Sequence, residues 1–178
     1  MASKVARDIM IPIHEYPHVS YRCTLKEAIE IIEDAVLNVS ARQSLPRALL
    51  IFDDRNNLLG MVRRRDILKG LEPKFLRVMS IPTRKELFDI EVDPNLVDLS
   101  TGTISQAMKK QADLPVTEVM NPIKSTVNAD DHLAKVIYKL ITRDESLLPV
   151  MDEGQVIGVL RSVDVFQEVA RIILEDED

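Results

Sequence analysis

Two short stretches carry the residues best suited to chemistry. Gly60-Met61-Val62-Arg63-Arg64-Arg65-Asp66 and Gly158-Val159-Leu160-Arg161-Ser162-Val163-Asp164 share one layout: glycine, two apolar residues, arginine, two variable residues, aspartate. An aspartate in a first helical turn offers two acceptor oxygens, and a nearby arginine can grip an anion in a bidentate fork. In the first stretch Arg63, Arg64 and Arg65 place three cations at the positive end of a helix dipole, where anions are favoured by about 0.3–1 kcal/mol. Two offsets are available. One is a bound phosphate, which helix N-termini attract; the other is Asp66 itself, with the arginine side chains in water. In the second stretch Ser162 can cap the helix and Asp164 can occupy its first turn, so local structure is complete there without a ligand.

Catalytic chemistry finds no machinery. The chain has five glycines, and neither a phosphate loop nor a Gly-x-Gly-x-x-Gly turn can be assembled from them. His14 and His18 are four apart, but Pro12 and Pro17 break any helix that would present them as a metal face. His132 falls at a helix start and is expected to be solvated, and no nucleophile stands with a base. The one cysteine, Cys23, cannot form an internal disulfide, and its reactivity would need a depressed pKa; the inert reading is preferred.

The elements that position the two stretches recur with them. Asp8-Ile9-Met10-Ile11-Pro12 answers to Glu118-Val119-Met120-Asn121-Pro122, and Val19 to Val127. Leu25, Ala28, Ile29 and Ile32 answer to Leu133, Val136, Ile137 and Leu140, each quartet spaced as one helix face. Ala48 to Asp53 answers to Leu147 to Asp152, and the first copy carries about a dozen extra residues around Leu37 to Pro46.

Each copy reads strand, helix, strand, strand, helix. In the first, a helical turn over Val5 to Met10 leads to a strand near Val19 and a helix to about Val36, opened by the capping box Thr24-Leu25-Lys26-Glu27. Strands over Arg47 to Phe52 and Leu58 to Val62 then form a hairpin, and a helix from Arg64 stops at Gly70. In the second, a strand over Lys124 to Val127 precedes a helix capped by Asp130 or Asp131. A hairpin turns at Asp152-Glu153-Gly154-Gln155, and a last helix from Val163 shows Phe166, Val169, Ala170 and Ile173 on one face. The acidic end Glu175 to Asp178 is expected to fray.

Between the copies the period is lost. Pro73 could open a short helix, Thr83 to Glu86 forms a capping box, Asp93 to Gly102 reads as loop, and Ile104 to Gln111 reads as helix. The apolar residues Phe75, Leu76, Val78, Leu87, Phe88 and Ile90 suit packing, either as a lid on their own chain or against a second subunit. The expected boundaries are 1–71 for the first unit, 72–113 for the connector and 114–178 for the second unit.

Composition sets the setting. The 178 residues are 46% hydrophobic with 4% aromatic and no tryptophan, so Leu, Ile and Val must supply the core. A net charge of -6 argues against nucleic acid as partner, since phosphate affinity needs excess Lys and Arg. With no long apolar run and no apolar segment after Met-Ala-Ser-Lys, no membrane is expected and a reducing cytoplasm fits best.

The two copies resemble a tandem pair of CBS domains, named after cystathionine beta-synthase. The resemblance rests on Met10 and Met120 with their following prolines, the order of elements, the run Leu148-Pro149-Val150-Met151-Asp152 and the two Gly-to-Asp endings. It covers most of the chain outside the connector.

It implies an α+β fold (α/β in the broad sense): two β-α-β-β-α units packed as a pseudo-two-fold pair, with a partly helical connector and two clefts between the units. Family clefts often hold adenosine-containing ligands such as AMP, ADP, ATP or S-adenosylmethionine, as regulatory ligands and not as required cofactors. By position, Asp66 and Asp164 inherit the role of holding ribose hydroxyls, with Ser162 and Arg64 beside them. Arg63 and Arg161 stand where a phosphate-holding Ser or Thr is usual, a departure in both copies. Adenine would lie along Lys124 and Ser125, with Leu148 and Pro149 as the opposite wall. The implied function is a stand-alone, non-catalytic sensor that acts by itself or on a separate regulated protein; the alternative is a ligand-free assembly module. Both imply a homodimer built through helices.

Overall fold

The computed structural model describes residues 4–39, 42–73 and 101–175. Helix α1 (Ala6–Ile9) leads into strand β1 (Ile11–Pro12), and a 3-10 turn (Ile13–Glu15) separates it from β2 (His18–Ser20). Then come α2 (Leu25–Asp34), β3 (Leu37–Val39), β4 (Arg42–Ser44), β5 (Ala48–Phe52), β6 (Leu58–Arg63) and α3 (Arg64–Leu71). After the connector follow α4 (Thr101–Gln111), a 3-10 turn (Val116–Glu118), β7 (Asn121–Pro122), β8 (Val127–Asn128), α5 (Leu133–Thr142), β9 (Leu147–Asp152), β10 (Gln155–Arg161) and α6 (Ser162–Glu175).

The capping box forms as expected at α2: Glu27 N donates to Thr24 Oγ1 at 3.2 Å and Thr24 N donates to Glu27 Oε2 at 2.7 Å. Leu25, Ala28 and Ile32 form the buried stripe of that helix, and Val136 and Leu140 bury the matching stripe of α5. The second hairpin turns through Glu153 (φ 47°) and Gly154 (φ 80°), the left-handed pair a two-residue loop needs to match strand twist. At the first hairpin Asp53 Oδ1 accepts from the N–H groups of Arg55 and Asn57, which closes a longer loop through Asn56 at φ 63°.

The sheets are not built copy by copy. One runs β2-β5-β6-β7 and the other β1-β10-β9-β8, so each copy's Met-Pro segment adds an antiparallel strand to the other copy's sheet. The exchange is reinforced beyond the strands. Ala6 N donates to Asp131 O and Arg7 N to Ala129 O, while Lys26 N donates to Ala112 O and Val116 N to Cys23 O. Side chains follow the backbone: Ala6, Ile9 and Met10 pack into the core of the second copy, and Val116, Val119 and Met120 into that of the first.

Glycine explains why the crossing fits. A Cβ at Gly60 would stand 2.5 Å from the Asn121 carbonyl oxygen, and one at Gly158 would stand 2.7 Å from that of Ile11. The glycine that opens each repeated stretch is therefore the floor over which the opposite Met-Pro strand passes. A third core cluster joins Ile11, Tyr16, Leu37 and Phe52 to Leu147 and Val159, filling the space between the two halves.

Several local expectations change. Gly70 is not a helix stop: α3 continues to Leu71, and a Cβ at Gly70 would meet Val119 and Leu25 side chains within 3 Å, so close packing selects it. Neither Asp130 nor Asp131 caps α5, which starts after His132; Asp131 instead accepts from Asn128 N and binds Lys135 Nζ at 2.7 Å. Ser162 is the first residue of α6 and not its cap. Helix α2 ends at Asp34, and only Val127–Asn128 of the expected strand is extended enough to pair, leaving Lys124 and Ser125 irregular. The extra residues around Leu37 to Pro46 contain a two-stranded hairpin, Leu37 opposite Ser44.

Helix α4 begins at Thr101, so Gly102, expected in loop, is helical; α4 lies against α3. The expected helix following Pro73, the capping box at Thr83, the loop from Asp93 to Ser100 and the packing of Phe75, Leu76, Val78, Leu87, Phe88 and Ile90 lie outside the described residues. No helix among the described residues is long and apolar enough to cross a membrane.

Candidate functional site

Two clefts correspond to one another through the repeat. The first, about 430 Å³, is lined by Asp66 and Lys69 of α3 and by Glu118, Val119, Met120 and Asn121. The second, about 750 Å³, is lined by Asp164 and Gln167 of α6 and by Asp8, Ile9, Met10 and Ile11. The correspondence is residue by residue: a first-turn aspartate from one half faces the Met-Pro strand of the other, because that strand has been exchanged. Neither site could form from one copy alone.

At both aspartates the arginine three residues earlier has already taken the carboxylate. In the first cleft Arg63 Nε and Nη2 donate to Asp66 Oδ2 and Oδ1 at 2.8 and 3.2 Å, and the Arg63 backbone N–H donates to Oδ2 at 2.9 Å. Burial would raise the Asp66 pKa, but the Arg63 side-chain and backbone hydrogen bonds outweigh it and hold the carboxyl below its usual range. Asn121 stands beside the same carboxyl, yet its buried Nδ2 has no hydrogen bond of regular geometry. Arg64 Nη1 reaches back to the Pro46 carbonyl. Asp66 thus offsets the cationic helix start, with Arg63 and Arg64 each hydrogen-bonded to the chain.

In the second cleft the same pair is tighter. Arg161 Nε and Nη2 donate to Asp164 Oδ2 and Oδ1, each at 2.6 Å, and Nη1 donates to Ser44 Oγ at 2.7 Å. Arg161 and Asp164 side chains are 5% and 3% exposed, whereas Arg63 is 48% exposed over an Asp66 that is 5% exposed. A further carboxylate, Glu168, is held by Lys4 at 2.8 Å and Arg171 at 2.6 Å; burial opposes its ionisation, but these bonds keep its pKa below the usual value.

The remaining sequence candidates are dispersed. Lys124, Ser125, Leu148 and Pro149 line neither cleft; Leu148 is fully buried, and it and Pro149 pair with Leu160 and Val159 inside the β9–β10 ladder. Arg63, Arg64, Arg161 and Ser162 flank the cleft-lining aspartates without lining the cavities themselves. Sequence reading missed Ser44, Lys4, Glu168, Arg171 and Asn121. The matched Met10 and Met120 beside matched glycines hinted at a crossing, but nothing in the order of elements says which half each strand joins.

Cys23 is half-buried, and burial first, then the Glu27 carboxylate, push its thiol up to about 11, so it carries almost no thiolate at neutral pH. His14 lies in the 3-10 turn and His18 in β2, where its Nδ1 meets the Tyr16 carbonyl at 2.8 Å. Among the described residues no three His, Cys, Asp or Glu side chains gather as metal ligands.

A family model described as the CBS domain matches residues 6–73 and again 116–171. Among solved structures, CBSX2 in complex with AMP is 20% identical over 95% of this chain and 98% of its own, at a TM-score of 0.61. The CBS-pair protein CBSX2 from Arabidopsis thaliana is 19% identical over 97% and 99%, at 0.64. The cytosolic domain of the Mg2+ channel MgtE in complex with ATP is 20% identical over 92% of this chain and 48% of its own, at 0.58. At such identities the likeness is one of fold. No curated protein matches.

Proposed function

The chain belongs to the CBS-domain family, and on that premise we propose that it is a non-catalytic regulatory module that senses an adenosine-containing nucleotide in the clefts between its two copies. The observation that carries this reading is the pair of matched cavities, each setting a buried first-turn aspartate against an exchanged Met-Pro strand. The AMP bound to CBSX2 and the ATP bound to the MgtE domain support the ligand class. Candidate ligands are AMP, ADP, ATP and S-adenosylmethionine, acting on a separate regulated protein in a reducing cytoplasm, where the high thiol pKa of Cys23 suits it to remain unmodified.

Ligand binding to the native state alone should raise stability by about 2.7 kcal/mol at a hundredfold excess over Kd. For a chain of this size that is a rise in Tm of roughly 5–10 °C. Thermal unfolding with each nucleotide measures it. No rise with any of the four would remove the sensing reading and leave assembly.

Assembly has its own observation. Tyr138 and Ile141 of α5 and Phe166 and Ile173 of α6 are all at least 64% exposed, an apolar face on two helices whose other faces fill the core. A second copy would cover it as a homodimer. Phe166→Glu should then shift the sedimentation coefficient from dimer to monomer without loss of helical signal; an unchanged coefficient would place the subunit contact elsewhere.

A further inference from the structure

The clefts are equivalent in layout and unequal in state. In the second, the Asp164 carboxylate is filled by a guanidinium that is itself sealed from water and pinned from behind by Ser44. Ser44 ends the hairpin that the first copy carries and the second lacks, and Asn38 and Val39 of that hairpin line the same cavity. At the first cleft the Arg63 side chain lies half in solvent, and among the described residues no hydrogen bond from an inserted element holds it. There Asn121 Nδ2 is a buried donor without a regular acceptor, the one such side-chain atom among the described residues; the matching position in the second cleft is the apolar Ile11.

Resting on the nucleotide-sensing reading, we propose that Arg161, backed by the inserted hairpin, is a built-in cation that closes the Asp164 carboxylate of the second cleft to ligand, so that a nucleoside monophosphate binds only beside Asp66. Turning Arg63 outward costs little because its guanidinium already meets water, and the move does two things at once. It opens the acceptor positions on Asp66 Oδ1 and Oδ2 that the Arg63 side chain holds, with the backbone N–H still on Oδ2, to a pair of sugar hydroxyls, and brings a bidentate donor to the phosphate. Among the charged groups lining this cleft besides Asp66, Glu72 and Glu118 outnumber Lys69, so each added phosphate charge meets a net negative wall, and a monophosphate is favoured over a triphosphate. Arg161 has no such exit: its side chain is 5% exposed against 48% for Arg63, and leaving Asp164 would also break the Ser44 bond.

Titration of the ¹⁵N-labelled full chain with AMP and with ATP tests this. The expected result is amide shifts at Asp66 and Asn121 with none at Ile11 and Asp164, saturation at one AMP per chain, weaker binding of ATP, and loss of the response in Asp66→Asn. Shifts at Ile11 and Asp164, or two AMP per chain, would overturn the closure while leaving nucleotide sensing in place. If neither nucleotide binds, sensing fails, and the closure is decided by the arginine Nε–H signals of the same sample. Arg161 should then keep a slowly exchanging signal at a pH where that of Arg63 is lost to water. Equal exchange at the two arginines would overturn it.

Discussion

Arg161→Ala should lower stability by about 3–5 kcal/mol, read as a fall in the urea midpoint, because removing one partner of a buried pair leaves the other charge uncompensated. Asp164 is 4% exposed, and Arg161 supplies both of its side-chain donors, so no other group moves in to replace them. Against a total of about 5–15 kcal/mol for a domain of ordinary stability, this is a loss of a third or more. Arg63→Ala at the matching position should cost about 1 kcal/mol or less, since that arginine is half in solvent and Asp66 keeps the backbone N–H of residue 63. Replacing both members of the buried pair, Arg161→Met with Asp164→Leu, should recover most of the loss, because apolar residues of similar volume need no partner. Costs for Arg161→Ala and Arg63→Ala within 1 kcal/mol of each other would mean that burial does not distinguish the two pairs.

The contrast shows which parts of this protein its sequence makes legible. Periodicity was sufficient for α2 and α5, whose matched quartets bury Leu25, Ala28, Ile32, Val136 and Leu140 and pack Ile29, Leu133 and Ile137 partly buried against the same cores, and turn chemistry was sufficient for the β5–β6 and β9–β10 hairpins. These are local properties, decided within a few residues. The exchange of β1 and β7 is not local. Ile11 and Pro12 carry the same two-residue signal whichever sheet they join, and the choice is made by contacts with Val159 and Gly158 nearly 150 residues away. The repeat aligns Arg63 with Arg161 and Asp66 with Asp164. What separates the two pairs is Ser44, in an insertion that the repeat does not align. Lys124, Ser125, Leu148 and Pro149 were placed by resemblance alone, and the structure sets them apart from both cavities.

Gly158→Val should destabilise the chain by about 1–3 kcal/mol through overpacking, and the damage should be concentrated at the N-terminal segment. A Cβ at this position would lie 2.6 Å from Met10 Sδ, which can swing aside, and 2.7 Å from the Ile11 carbonyl oxygen, which cannot move without its strand. Ile11 pairs with Val159 and Pro12 with Gly158, so displacing that carbonyl undoes the whole of β1. With β1 go Ala6, Ile9 and Met10, which fill the core of the second copy, and the wall of the second cleft. Limited proteolysis should therefore cut within residues 4–12 of the variant well before it cuts the parent. Two other glycines calibrate the result. Gly102→Ala lies on α4 with nothing within 4 Å of the added carbon and should gain about 0.5–1 kcal/mol from helix propensity. Gly154→Ala also meets open space, but its φ of +80° should cost about 1–2 kcal/mol without loosening the N-terminal segment. Of these three glycines only Gly158 couples loss of stability to early cleavage, because its added carbon would stand between the two halves. A Gly158→Val protein as resistant to proteolysis as the parent would mean that β1 holds its place by some other contact, and that the exchanged strand is not what shapes the cleft.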